Sequence, residues 1–153
     1  MKIVDILHAD CIIPELHSQN KEEVLEELTT ALLKYKGNLN KEALVEVLLV
    51  RERLGSSGIG DGIAIPHGKV PDLDELIMSF GRSTLGIEFD SMDGRPTHLF
   101  FLLIAPENST GIHLRALAKI TGLLRSAHFR QRLMESGTRE EIFQVIREED
   151  KEF

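Results

Sequence analysis

THLFFLLIA, Thr97–Ala105, runs through seven consecutive apolar residues from Leu99 onward. A strand with one wet face alternates apolar and polar residues, so an unbroken run predicts a central strand covered on both faces. The run is far too short to span a bilayer. Asp93-Gly94 and Pro96 mark a turn just before it. Upstream of that turn, Leu76–Arg82 and Leu85–Ile87–Phe89 read as two further strands. Downstream of Pro106 the pattern becomes helical. Ser109 or Thr110 can cap a helix with Leu114, Leu117, Ala118, Thr121 and Leu124 on one face.

The ends of the chain supply more helices. Asn20 opens N-K-E-E, a capping box with Glu23, and Val24, Leu25, Leu28 and Leu32 follow at helical spacing, with Gly37 as the expected stop. Asn40 caps the next helix, from Lys41 to about Arg53, with Leu44, Val47, Leu48 and Arg51 as its inward stripe. A short helix is expected around His128–Met134. Thr138 begins T-R-E-E, a second capping box with Glu141, for a last helix burying Ile142, Val145 and Ile146. No repeat or linker divides residues 1–153. The expectation is one α/β domain, a mixed β-sheet flanked by helices on its faces.

Between helix and strands lies LGSSGIGDGIAIPHG, Leu54–Gly68, with five glycines, too many for a helix. Ile63 and Ile65 alternate as in a short strand that ends at Pro66, and His67 follows. The glycines invite nucleotide-loop readings, and their spacing defeats them. A P-loop needs four residues between its glycines and Ser or Thr after its Lys; here five separate Gly62 from Gly68, and Val70 follows Lys69. A dinucleotide loop needs a strand before the glycines and a helix after, the reverse of the order here.

Composition narrows the class further. A formal net charge of −7 disfavours general binding to nucleic acid or anionic membranes. A single Cys excludes an internal disulfide and a Cys-rich zinc site. No export signal is visible at the N-terminus, so a cytoplasmic location without membrane insertion is expected. There is no G-x-S-x-G or H-E-x-x-H. A zinc site from His67, His98 and His113, serving a metal-dependent hydrolase, lacks any diagnostic local spacing. Neither a metal nor a cofactor is expected.

Three polar residues stand where structure alone would prefer others. His67 sits between Pro66 and Gly68, Arg51 in the inward stripe of its helix, and His113 in the first turn of another. Each has a plain alternative. Arg51 can complement a helix C-terminus, His113 can be a surface residue, and His67 a turn histidine bonded to its own backbone.

IGDGIAIPHGK, preceded by RERLGSSG and followed by GIHLRALAKI, resembles the enzyme IIA domains of the mannitol/fructose class of the bacterial phosphoenolpyruvate-dependent phosphotransferase system, above all their nitrogen-regulatory branch. The likeness covers essentially the whole chain. It implies a mixed sheet flanked by helices and a phosphorylated His67 (a tele-phosphohistidine), with Arg51 and His113 as further active-site residues. It also implies an HPr-type phosphocarrier as donor, and a regulatory target or a IIB domain as the next partner. A free-standing chain of 153 residues favours regulation over sugar uptake in this reading. An apolar rim of Ile59, Ile63 and Ile112 is expected around the site.

Overall fold

The computed structural model describes residues 1–150. After a 3₁₀ turn at Ile3–Asp5 come strand β1 (Leu7–Ile13) and helices α1 (Lys21–Leu32) and α2 (Lys41–Leu54). Strands β2 (Gly58–Gly60), β3 (Ile63–Ala64), β4 (His67–Val70), β5 (Ile77–Ile87) and β6 (Thr97–Pro106) follow. Helices α3 (Thr110–Leu124), α4 (Ala127–Glu135) and α5 (Arg139–Glu149) complete the domain.

The sheet is mixed, in the order β1-β5-β6-β3-β2, with β4 also on β6. Strand β6 lies at its centre, as the apolar run predicts, and its side chains alternate between two cores. Leu99, Phe101, Leu103 and Ala105 pack with α3, α4 and α5 through Ile120, Leu124, Phe129, Leu133 and Ile142. Phe100, Leu102 and Ile104 pack with α1 and α2 through Leu25, Leu28, Leu44 and Leu48. Each of these Leu, Ile and Phe side chains contributes about 1.5–3 kcal/mol by leaving water.

Strands β3 and β4 run one after the other along the same edge of β6, both parallel to it: Ile63 faces Leu99 and His67 faces Leu103. Pro66 fills the gap between them. Having no N–H, it interrupts the ladder there, but its carbonyl still accepts from Leu103 N–H at 2.9 Å.

The expected caps form at Asn20, Asn40 and Thr138, whereas Ser109 before α3 makes no cap bond and turns its hydroxyl to the Pro106 carbonyl at 2.7 Å. Asn20 accepts from Glu23 N–H at 3.0 Å, although the Glu23 carboxylate returns to Gln19 N–H rather than to the cap itself. Asn40 accepts from Ala43 N–H at 2.9 Å, and Thr138 from Glu141 N–H at 3.1 Å. Asn40→Ala should therefore destabilise the domain by about 1 kcal/mol, read as a lowered urea midpoint at unchanged slope.

Other expectations are corrected. Helix α1 stops at Leu32, before Gly37, because the chain tightens into turns bonded Lys34 to Ala31 and Tyr35 to Leu32, and Tyr35 stacks on His8. The two strands expected before the turn are one, β5, whose pairing with β6 shifts register between Arg82 and Ile87. Gly86 allows that shift: its φ is +89°, and a Cβ there would lie 2.7 Å from Pro96 Cβ. Helix α3 buries His113, Ala116, Ile120 and Leu124 and leaves Leu114 exposed, so its inner face is rotated from the predicted one. In α2 the buried residue of the last turn is Glu52, while Arg51 lies half-buried at the edge.

Candidate active site

His67 is the first residue of β4, not a turn residue. Its Nδ1 lies 2.8 Å from the Ile65 carbonyl oxygen. A carbonyl can only accept, so Nδ1 carries the proton, and the neutral ring keeps its lone pair on Nε2. Gly68 is needed for close approach: a Cβ there would stand 2.9 Å from Val47 Cγ1 on α2, a stiff side chain with little room to yield. The glycine thus lets β4 lie against α2 beside the last turn that carries Arg51.

His113 comes to the same place from α3. Its ring meets His67 edge-on, with centroids 5.4 Å apart. It is only 6% exposed, so it is no surface residue, and its Nε2 is buried with no hydrogen-bond partner among the described residues. Arg51 Nη1 donates to the Gly55 carbonyl at 2.8 Å, closing the end of its own helix, as the plain alternative allows. Its charge is nevertheless felt at His67. The structure therefore gathers His67, His113 and the field of Arg51, from three elements, at one end of the parallel β4–β6 pair.

His98 does not join them. It lies on β6 five residues before the partner of His67, with Nδ1 against the Ser83 carbonyl at 2.9 Å. Among the described residues no group of three His, Cys, Asp or Glu side chains is placed to hold a metal ion. No helix among them is long and apolar enough to cross a membrane.

A family model described as phosphoenolpyruvate-dependent sugar phosphotransferase system, EIIA 2, matches residues 5–149. The chain belongs to this family. As an EIIA 2 chain it is 41% identical to a nitrogen regulatory protein of Bradyrhizobium diazoefficiens, over 95% of both chains. It is 39% identical to the fructose-specific EIIABC component of Bacillus subtilis over 99% of its own length, which is 24% of that protein. The crystal structure of nitrogen regulatory protein IIA-Ntr from Neisseria meningitidis superposes with a TM-score of 0.87 at 34% identity, covering 94% of this chain and 98% of that one.

The electrostatics of this EIIA 2 site favour neutral rings. Burial holds the His67 pKa below its ordinary value, and the Arg51 guanidinium adds to this against the opposing pull of the Ile65 bond and Glu52. His113 is lowered further, from 6.5 to about 4, by burial first and then by the neighbouring His67 and Lys69 charges. Between those limits the unfolded chain binds the proton that folded His113 refuses. Stability should thus be full above about pH 6.5 and fall as the pH drops toward about 4. The loss attributable to His113 is on the order of 3 kcal/mol. His113→Gln should flatten that part of the stability–pH profile, measured by urea unfolding at a series of pH values. An unchanged slope would remove His113 as its source.

Two further charged residues lie beside this cluster. Lys69 stands two positions after His67 on a strand, hence on the same face, and its Nζ donates to Thr110 Oγ1 at 2.9 Å in the first turn of α3. Strand alternation from His67 is the sequence signal that points to it. Glu52, central in R-E-R, is buried and accepts from Lys21 and Ser57, whereas the apolar stripe of α2 points to its neighbour Arg51. Of the expected apolar rim, Ile59 and Ile112 are exposed at 41% and 45%, but Ile63 is buried in β3 and cannot contribute.

Proposed function

We propose that this chain accepts a phosphoryl group on Nε2 of His67 from the phosphohistidine of an HPr-type carrier, and that its phosphorylation state selects which target proteins it binds. The observation that carries this is the His67 Nδ1–Ile65 carbonyl bond, because it commits the ring to one tautomer with Nε2 as nucleophile. The Nε2 lone pair forms the new P–N bond as the donor's P–N bond breaks, and the donor imidazole keeps the electron pair. With a proton on the donor ring's other nitrogen the donor leaves as a neutral imidazole, while His67 keeps its Nδ1–H and takes up the ring's positive charge, so no proton has to change owner.

Such a transfer asks mainly for positioning and for charge stabilisation around the equatorial oxygens. Arg51 offers a permanent, forked cation once its guanidinium turns from the Gly55 carbonyl. His113 has a buried Nε2 awaiting a partner, which as an N–H donor would bind a phosphoryl oxygen. Lys69 adds a second cation at the start of α3. Ile59 and Ile112 provide apolar surface against which the carrier docks. We place the reaction in the cytoplasm.

Likeness to a nitrogen regulatory protein over 95% of both chains supports the regulatory output. The second reading, passage of the group to a fructose- or mannitol-type IIB domain in sugar uptake, is favoured by the likeness to part of a fructose-specific EIIABC component. Rapid loss of label to an added fructose-type IIB domain would favour this second reading; retention favours regulation.

The acceptor atom is tested by incubating ¹⁵N-histidine-labelled protein with phosphoenolpyruvate, enzyme I and HPr. One acid-labile phosphate should form, with phosphorus–nitrogen coupling to Nε2 of His67. Coupling to Nδ1, or label on another residue, would sink the proposal.

A further inference from the structure

We infer that Glu52 is a positioning residue for His67, acting through Ser57 and Ile65 on the carbonyl that sets the tautomer of the ring. This rests on the reading of His67 as the acceptor.

The links are continuous. Glu52 lies in the last turn of α2, with its side chain 4% exposed. Its two oxygens lie 3.2 and 3.1 Å from Ser57 N–H, and Ser57 Oγ–H donates to Oε1. Lys21 Nζ, from the first turn of α1, donates to Oε2 at 3.1 Å and stands equally close to Asp90 Oδ2. The Ser57 carbonyl accepts from Ile65 N–H at 3.1 Å. The Ile65 carbonyl then accepts from His67 Nδ1–H at 2.8 Å. One buried carboxylate thereby holds the near strand of the glycine loop, and that strand holds the peptide to which the imidazole is tied.

The position suits a carboxylate. Three donors converge on it: the Ser57 N–H, the Ser57 hydroxyl and the Lys21 ammonium. An ionised carboxylate only accepts and has lone pairs for all three. A glutamine there keeps one accepting oxygen and turns an NH₂ group toward the other donors, so at least one link is lost. The same bend carries Gly55, whose carbonyl receives Arg51. The adjacent residues Arg51 and Glu52 therefore brace the glycine loop from its two sides.

A merely stabilising Glu52 and a positioning Glu52 differ in what the ring reports. The long-range ¹H–¹⁵N spectrum of His67 in the unphosphorylated full-length protein should show one Nδ1–H tautomer. In E52Q the share of that tautomer should fall, and phosphoryl transfer from phospho-HPr should slow by about tenfold, the low end of what metal-ligating histidines lose when an orienting partner is removed. A folded E52Q with the wild-type ring spectrum and transfer rate would overturn the inference, whatever its unfolding midpoint. Should E52Q fail to fold, Ser57→Ala cuts the hydroxyl link and spares the backbone. A smaller tautomer change in the same direction supports the inference, and an unchanged spectrum overturns it. Because the spectrum needs no donor, it judges Glu52 even if the wild-type protein takes no label. That failure would fall on the acceptor role of His67 alone.

Discussion

His67→Ala should carry no acid-labile phosphate after incubation with phosphoenolpyruvate, enzyme I and HPr, under conditions that label the wild type fully. The expectation is all-or-none because the proposed transfer makes this side chain the nucleophile rather than an aid to it. His113 cannot take over: its ring is almost wholly buried, and its pKa of about 4 marks a weaker base. The fold should survive. The substitution removes one bond to the Ile65 carbonyl, costing about 1 kcal/mol, and leaves the pairing of β4 with β6 in place. A folded His67→Ala that labels like the wild type would place the acceptor elsewhere.

Arg51→Ala should slow transfer by roughly 10²–10³-fold, the usual cost of losing a fixed group aimed at transition-state charge. Two contributions combine. In the proposed transfer the guanidinium would no longer neutralise the equatorial oxygens of the transferring group, and its field no longer helps hold His67 neutral. Removing that field should raise the pKa of His67 toward its ordinary value, so the variant should lose further activity on the acidic side of its pH profile. Burial, the larger cause, remains. Stability should change by only about 1 kcal/mol, since the half-exposed side chain makes one hydrogen bond to the end of its own helix. A rate that fell only in step with the unfolding midpoint would make Arg51 a helix cap and nothing more.

These two variants probe residues that were legible for different reasons. His67 stands out because Pro66 and Gly68 frame it, but the frame was legible only in part. The local pattern allows the ring to be a turn residue, and only the parallel pairing with β6 makes its segment the strand β4. Gly68 serves packing against Val47, a contact that no local pattern announces. Capping and periodicity place His113 in the first turn of a helix, yet which face of α3 turns inward depends on the sheet beneath it. Ile63, an isoleucine like Ile59 and Ile112, differs from them only in where the fold puts it.

What the sequence alone determined is what short-range chemistry decides. Seven apolar residues from Leu99 require cover on both faces, and Asn20, Asn40 and Thr138 each offer an oxygen to N–H groups within a single turn. The convergence of Arg51, His67 and His113, separated by 16 and 46 residues, was left to the tertiary structure. Parallel pairing sets β4 beside the end of β6, so that α3, leaving just beyond Pro106, begins next to Lys69 and His67. The choice between Arg51 and Glu52 was likewise tertiary. Neighbours on a helix point about 100° apart, and only the donors of Lys21 and Ser57 determined which of the two charges turned inward.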